Sequence, residues 1–295
     1  MIYVPRRPGP QELDLTNPES IGYKELEDAK KTTFTKDTDF TFKAYRDDNV
    51  KKVLKKMFNG KCGYCENCIN SISFEEIEHF RPKRAIKIKG KRALTYPGYY
   101  WLAMKWENLL IACERCNRTH KKNHFPLNDE NKRAKVPSEE DIEEPLLLNP
   151  CEDNPSDHLE FTKTGRIKFK ENSLKGETSI EIYGLHREDL TRERRVLAKT
   201  LELIMEQIYD DLIELGDLLK IKDAIESKRK IEKITLRIIK TYKILLLHVE
   251  CPMRPFRAMT RQLTLEFLNE HGGVLNTLTK QYNNQKRKKM SQSIN

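Results

Sequence analysis

The sequence predicts an α+β protein with a small mixed module in its centre and a helical C-terminal region. Two closely spaced cysteine pairs and several short apolar runs lie in the centre, which is typical of short strands and turns rather than long helices. From about residue 190 onward, apolar residues recur at steps of three and four, the spacing of an amphipathic helix. A length of 295 residues suits two domains of roughly 100–200 residues each.

Composition argues against membrane and secreted proteins. Charged residues make up 34% of the chain, and no apolar run approaches the roughly 18 residues that a membrane span needs. The first ten residues, MIYVPRRPGP, lack the apolar core of a signal peptide. The sequence therefore predicts a cytoplasmic protein without a membrane segment.

The net charge of +10 is concentrated in the centre of the chain. Residues 51–135 carry 20 Lys and Arg against 8 Asp and Glu, whereas the remaining residues sum to −2. Lys and Arg gain free energy when they release counterions from phosphates, so this basic centre indicates a polyanionic partner. A solvated basic face is the alternative at this point.

Five segments differ in composition. They are an N-terminal arm (1–48), a basic module (49–145), a connector (146–189), a helical region (190–285) and a basic tail predicted to be disordered (286–295).

Local signals place the elements within these segments. The arm has weak periodicity and one short helix near Glu25–Lys31. Val53, Leu54, Met57 and Phe58 share a helical face, and Gly60 ends that helix. Further predicted elements are a strand through Ile72, Phe74 and Ile77, a helix over residues 113–122, and a hairpin of Phe161, Ile167 and Phe169 around Thr164–Gly165.

The helical region contains two apolar stripes. The first consists of Leu197, Leu201, Ile204, Ile208, Leu212, Leu215 and Leu219, and the second of Ile231, Ile234, Ile238, Tyr242, Leu245 and Val249. Each stripe must be covered by another surface. An antiparallel helical hairpin is the favoured interpretation, and a partner-docking surface is the alternative.

Four of the seven cysteines form two CxxC pairs, Cys62/Cys65 and Cys113/Cys116. Two such turns can present four thiolates to one structural Zn²⁺, although the 47 residues between them indicate an insertion. Cys68 continues the first pair and could replace Cys65. A redox pair would need a βαβ context, and disulfides conflict with the predicted compartment.

An ordered motif accompanies the cysteine pairs. Glu78-His79 lies between them, Asn108 follows Trp106-Glu107, and Asn117 directly follows Cys116. This order resembles the HNH endonucleases, the zinc-stapled ββα-metal or His-Me finger nucleases, over about residues 60–127. The resemblance implies a ββα-metal core and metal-dependent hydrolysis of phosphodiester bonds.

The resemblance also implies a role for each motif residue. His79 is the general base, Glu78 and Asn117 hold a catalytic Mg²⁺ or Mn²⁺, and Asn108 braces the loop that orients the histidine. Glu78 stands where many members have Asp, and Asn117 where others have His. Elementary chemistry agrees, because a histidine with a pKa near 6.5 can act as a base at neutral pH. Carboxylate and amide oxygens are hard ligands suited to these ions.

Cations near the motif are predicted to contact nucleic-acid phosphates. Seven Lys and Arg residues lie in the 12-residue stretch 81–92, where they could position a backbone without reading bases. A solvated loop is the alternative. His120 and His124 could reach the metal or the phosphate, or could be surface residues. The predicted phosphate contacts are Arg81, Lys83, Arg84, Arg118 and Lys121.

Several stretches outside the motif are similar to one subgroup of this family, the PtuB-type HNH nucleases of bacterial Septu antiphage systems, including those beside retrons. The similarity covers about residues 60–195. It implies a partner ATPase of the ABC/SMC-like PtuA type and, in some loci, a reverse transcriptase with a noncoding RNA. The stretches are residues 78–83, 100–103, 123–127, 147–150 and 182–185.

Two other functions fit parts of the sequence. A stand-alone McrA-like restriction nuclease would keep the chemistry without the ATPase. A non-catalytic zinc module could bind nucleic acid or a protein partner. The complete set of Glu78, His79, Asn108 and Asn117 favours a nuclease, because a pure binding module needs none of them. Whether the substrate is DNA or RNA is left open by the sequence.

Overall fold

The computed structural model describes residues 1–69, 75–221 and 225–292. The chain divides into two compact units. The mixed unit contains Met1–Glu160 and Ile167–Leu190, and the helical unit contains Phe161–Arg166 and the chain from Thr191 onward. The predicted combination of helices, strands and a helical C-terminal region is confirmed.

The first 48 residues, predicted as an N-terminal arm, belong to the mixed unit and pack within it. The Met1 amine lies 3.0 Å from Glu66 Oε1, and Arg6 Nη1 donates to the Leu109 carbonyl at 2.7 Å. Helix α1 spans Ile21–Lys30 and begins at Ser20, whose hydroxyl accepts from the Tyr23 amide. Irregularly spaced apolar residues anchor the segment, which explains why periodicity did not reveal its packing. These buried anchors include Leu13, Phe34 and Phe42.

Helix α2, Asp48–Met57, leads into the first cysteine pair. Asp47 begins it by accepting from the Asn49 amide, and Val50, Leu54 and Met57 are buried. Gly60 follows with a φ of +67°, a conformation that glycine adopts without strain. The predicted helix and its end are therefore confirmed.

An antiparallel hairpin forms the centre of the mixed unit. Strand β1, Glu75–His79, pairs with strand β2, Leu109–Cys113, and His79 lies opposite Leu109. A π-helical segment, Arg115–Lys121, follows β2 within two residues. The predicted strand extends to His79 as expected, but Ile72 and Phe74 lie outside the described residues.

The connector forms the predicted hairpin. Strand β3, Leu159–Phe161, and strand β4, Ile167–Phe169, flank Gly165, whose φ is +77°. Helix α3, Leu174–Ile182, follows and begins at Ser173. Short 3₁₀ helices elsewhere in the unit cover Gln11–Leu13, Ala44–Arg46, Tyr100–Leu102, Trp106–Asn108, Glu130–Lys132, Glu140–Ile142 and Pro155–Asp157.

Three long helices, α4 (Glu188–Lys220), α5 (Ile225–Glu250) and α6 (Arg257–Gln292), supply the helical unit. Most residues of both predicted stripes pack in one core, so a docking surface formed by the stripes is wrong. Leu219, at the end of the first stripe, is the exception and is 66% exposed. Helix α6, which the stripes did not reveal, contributes Leu275 to that core. The buried core residues are Leu201, Ile208, Leu215, Ile234, Ile238, Tyr242, Leu245 and Leu275.

The end of α6 differs from the predicted disordered tail. The helix continues to Gln292, and residues 293–295 lie outside the described chain. Lys, Arg and Gln have high helix propensity, and no Gly or Pro interrupts residues 274–292, so the helix can continue beyond its core contacts. Within the described ranges, no helix combines the length and apolar character that crossing a bilayer requires.

Ile208→Asp should destabilise the helical unit strongly. The side chain is fully buried, and an unpaired carboxylate in this core should cost on the order of 4 kcal/mol. Urea unfolding followed by circular dichroism measures the change. Val196→Asp is the matched control, because Val196 lies on the same helix with 65% of its surface exposed. Equal stabilities of the two variants would contradict the packing described above.

Candidate functional site

Four cysteines form a tight cluster beside the hairpin. The Sγ atoms of Cys62, Cys65, Cys113 and Cys116 all lie within 4.8 Å of one another, and those of Cys65 and Cys113 are 3.9 Å apart. Tetrahedral zinc with bonds of about 2.3 Å would place sulfurs about 3.8 Å apart. The cluster could therefore hold a metal such as zinc. The structure brings in Cys65 and leaves Cys68 outside.

Polar contacts favour the ionised form of two of the four thiols, Cys65 and Cys113. Burial raises the pKa of Cys62, and the hydrogen bond with Cys113 raises that of Cys116. Hydrogen bonds from Cys113 and Cys116 hold the pKa of the Cys65 thiol well below its usual range. Arg187 Nη1 donates to Cys116 Sγ at 3.4 Å and to the Gly184 carbonyl at 3.0 Å. A guanidinium at this position would offset part of the negative charge of four thiolates on a divalent cation, as outer ligands of metal sites commonly do.

A cavity of about 780 Å³, here called the basic cavity, opens between strand β1 and the π-helical segment. Strand β1 contributes Glu76, Glu78 and His79 to its wall, and the π-helical segment contributes Asn117 and Arg118. The order of β1, β2 and this segment thus brings together three predicted motif residues, Glu78, His79 and Asn117. The fourth, Asn108, does not line the cavity but ends the 3₁₀ helix Trp106–Asn108 directly before β2, where its carbonyl accepts from the Phe80 amide.

His79 is buried and fixed in one tautomer. Its Nε2 lies 2.9 Å from the Ala103 carbonyl oxygen, which only accepts, so Nε2 carries the hydrogen. Nδ1 is therefore an unprotonated acceptor, 3.3 Å from Lys83 Nζ. Burial and then the charge of Lys83 hold the pKa of His79 well below its usual range. The ring is consequently neutral, with a lone pair available at Nδ1.

Glu78 forms a buried ion pair. Lys121 Nζ lies 2.5 Å from Glu78 Oε1 and also donates to the His79 carbonyl at 2.9 Å. The Tyr64 hydroxyl donates to the same carboxylate oxygen at 3.4 Å. Lys121 is fully buried, so the prediction that it contacts a nucleic-acid phosphate is wrong. Lys121 lies one helical turn after Asn117, and this turn brings its ammonium group to Glu78.

Asn117 contacts Glu76, a carboxylate that is not part of the predicted motif. Its Nδ2 donates to Glu76 Oε2 at 2.9 Å, and Arg118 pairs with the same side chain. Burial raises the pKa of Glu76. Strand alternation could have identified it, because residues two apart on a strand, such as Glu76 and Glu78, share a face.

Asn108 connects the chain after His79 to a neighbouring segment. Its Oδ1 accepts from the Arg81 amide at 2.8 Å, and its Nδ2 donates to the carbonyls of Arg81 and Leu102, each at 3.0 Å. The Phe80 amide in turn donates to the Asn108 carbonyl at 2.9 Å. These bonds restrain the backbone immediately beyond the histidine.

The predicted phosphate contacts separate into two groups. Lys83, Arg84 and Arg118 line the basic cavity, but Arg81 does not. Its Nε donates to buried Glu143 at 3.0 Å, so the Arg81 guanidinium neutralises a buried carboxylate. Three further cations, which were not among the predicted phosphate contacts, complete the wall. Together the lining cations are Arg46, Lys51, Lys83, Arg84, Arg118 and Lys122.

Neither of the two uncertain histidines lines the basic cavity. His120 packs against Gly184, where an added Cβ would lie 2.3 Å from the ring. The backbone amide of His124 donates to the Lys121 carbonyl at 2.8 Å. Burial lowers the pKa of both side chains.

Comparison with known proteins finds similarity to Septu proteins. The chain is 58% identical over 278 residues to the Septu protein PtuB of Bacillus mycoides (strain KBAB4), covering 94% of each chain. It is 32% identical over 171 residues to the Septu protein PtuB of Bacillus thuringiensis, covering 57% of this chain and 52% of the relative. The Septu protein PtuA of Bacillus mycoides is 31% identical over 154 residues, 49% of this chain and 20% of that protein. No family model and no solved structure matches.

Proposed function

We propose that this chain, which belongs to the family of the Septu protein PtuB, is a metal-dependent HNH endonuclease. It would hydrolyse phosphodiester bonds of DNA or RNA as the effector of a Septu antiphage defence complex. One observation carries the nuclease proposal. A neutral, tautomerically fixed histidine presents Nδ1 at a cavity that also contains carboxylate, amide and cationic side chains.

His79 would act as the general base. Its Nδ1 would take a proton from the attacking water, while the Ala103 carbonyl holds Nε2–H and so keeps the ring in the required orientation. The low pKa keeps the ring unprotonated at neutral pH. Lys83, Arg84 and Arg118 would bind the phosphate oxygens around the scissile bond.

The donor atoms of the basic cavity fit a hard divalent cation. Glu76, Glu78 and Asn117 offer carboxylate and amide oxygens, which suit Mg²⁺ or Mn²⁺ better than zinc. The family resemblance assigns Glu78 and Asn117 as ligands. When bound, such a cation would stabilise the charge that builds on the phosphate and on the leaving oxygen. Zn²⁺ would occupy the cysteine cluster as a structural ion.

An ATPase of the PtuA type is the proposed partner. A segment of a protein named PtuA is similar in sequence to about half of this chain. The family resemblance implies that such an ATPase is the partner. In retron-associated loci the complex would also include a reverse transcriptase and a noncoding RNA. The stand-alone McrA-like nuclease remains the second candidate, and co-purification of the chain with an ATPase from its native locus would distinguish the two.

Cleavage by the purified complex tests the proposal. We expect plasmid DNA or total RNA to be cut in the presence of Mg²⁺ or Mn²⁺, and cutting to stop when EDTA removes the exchangeable cation. Supercoiled plasmid conversion and RNA gel profiles measure the two substrates in parallel. A complex that binds nucleic acid but cuts neither substrate with any divalent cation would favour the non-catalytic module instead.

A further inference from the structure

Two carboxylates of strand β1 face the basic cavity, but their surroundings differ. Glu78 is only 4% exposed, and its carboxylate is held by Lys121 and Tyr64. The Glu76 side chain is 13% exposed and hydrogen-bonded to Asn117, the amide expected to bind the catalytic cation. The two expected ligands, Glu78 and Asn117, therefore have separate partners.

Electrostatics disfavours a second cation on Glu78. The Lys121 ammonium group lies 2.5 Å from Glu78 Oε1, and both side chains are nearly excluded from water. A divalent ion on the same carboxylate would lie close to this ammonium, where little solvent screens the repulsion. A cation that drew the Glu78 carboxylate away from Lys121 would in turn leave the buried ammonium group without its counter-charge.

Glu76 has a more easily displaced partner. Its cationic neighbour Arg118 has a side chain that is 70% exposed, although Glu76 itself is only 13% exposed. Water therefore solvates the Arg118 guanidinium, whereas the Lys121 ammonium beside Glu78 is fully buried. Arg118 could therefore move to a phosphate and leave Glu76 to a metal ion. The amide of Asn117 already lies 2.9 Å from Glu76 Oε2, and a half-turn of that amide would present Oδ1 instead of Nδ2.

We propose that the catalytic divalent cation is held at the edge formed by Glu76 and Asn117. In this arrangement Glu78 and Lys121 form a permanent pair that positions His79, because Lys121 also holds the His79 carbonyl. The assignment rests on the proposed nuclease function and changes which strand residue binds the metal. Glu76 is a metal ligand, and Glu78 is a positioning residue.

Binding of Mn²⁺ to the zinc-loaded full chain tests this assignment. Free Mn²⁺ is followed by electron paramagnetic resonance, a readout that does not require cleavage. Glu76→Gln should raise the Mn²⁺ Kd at least 10-fold. Glu114→Gln, which removes a nearby exposed carboxylate that does not line the cavity, should change it less than twofold. The double variant Glu78→Gln/Lys121→Met removes both buried charges together and should stay within threefold of wild type.

The results separate the assignment from the function on which it rests. A Glu76→Gln Kd within threefold of wild type would overturn the assignment, as would a 10-fold loss of Mn²⁺ binding in the double variant. Wild-type protein that binds no Mn²⁺ would overturn it too. Failure of the proposed function has a different signature: wild-type complex that binds Mn²⁺ through Glu76 but cuts neither DNA nor RNA.

Discussion

His79→Ala is expected to abolish nucleic-acid cleavage while the protein keeps its zinc and its Mn²⁺ affinity. Removing a general base typically lowers a rate by about 10²–10⁴-fold, and no other histidine lines the described part of the basic cavity to replace it. Single-turnover cleavage of the preferred substrate measures the loss. His120→Ala is the matched control, because that ring packs against Gly184 outside the cavity. Its cleavage rate should stay close to that of wild type.

The same residue should determine the acid limb of the pH profile. Burial and Lys83 lower the pKa of His79, so the folded protein keeps the ring neutral below the ordinary histidine value of about 6.5. A base works only when unprotonated, and cleavage should therefore persist below pH 6.5 and fall only at lower pH. Substantial cleavage by purified His79→Ala protein, or an acid limb above pH 6.5 in wild type, would refute the assigned role.

The fold was predictable where local signals are strong. Helical periodicity and Gly60 identified α2, and the turn at Thr164–Gly165 identified the β3–β4 hairpin. The packing of the N-terminal segment was not predictable, because its buried Leu13 and Phe34 follow no regular period. The coverage of the two stripes was also ambiguous, because periodicity shows that a face is apolar but not what covers it.

The site was predictable in its residue types and less so in their pairing. The motif order located Glu78, His79 and Asn117, and the structure brings all three to one cavity. The motif order could not distinguish cations that face a ligand from cations that neutralise buried carboxylates. Lys121 and Arg81 belong to the second kind, since their partners Glu78 and Glu143 are buried. Those partners are separated from them in sequence by 43 and 62 residues, so no local pattern reveals the pairs.

Loss of one cluster thiol should have the largest effect on stability. Cys113→Ser should lose the zinc, and binding free energies of structural zinc are on the order of 10 kcal/mol or more, which exceeds the margin of most domains. Cys113 also ends β2 and pairs with Glu75 of β1, so unfolding there would disrupt the strand that carries His79. Metal analysis should give about one zinc per wild-type chain and none in the variant, and thermal melts should show the mixed unit unfolded.

Cys68→Ser provides the matched control for that loss. Cys68 follows Cys65 by three residues but lies outside the four-sulfur cluster, so its replacement should keep the zinc and the melting transition. If Cys68→Ser lost the metal while Cys65→Ser kept it, the ligand set would include Cys68 instead. A folded Cys113→Ser protein that still carries one zinc would rule out the four-cysteine site altogether. The cluster holds the last residue of β2, Cys113, and the first turn of the π-helical segment through Cys116. Cleavage should therefore disappear together with the zinc.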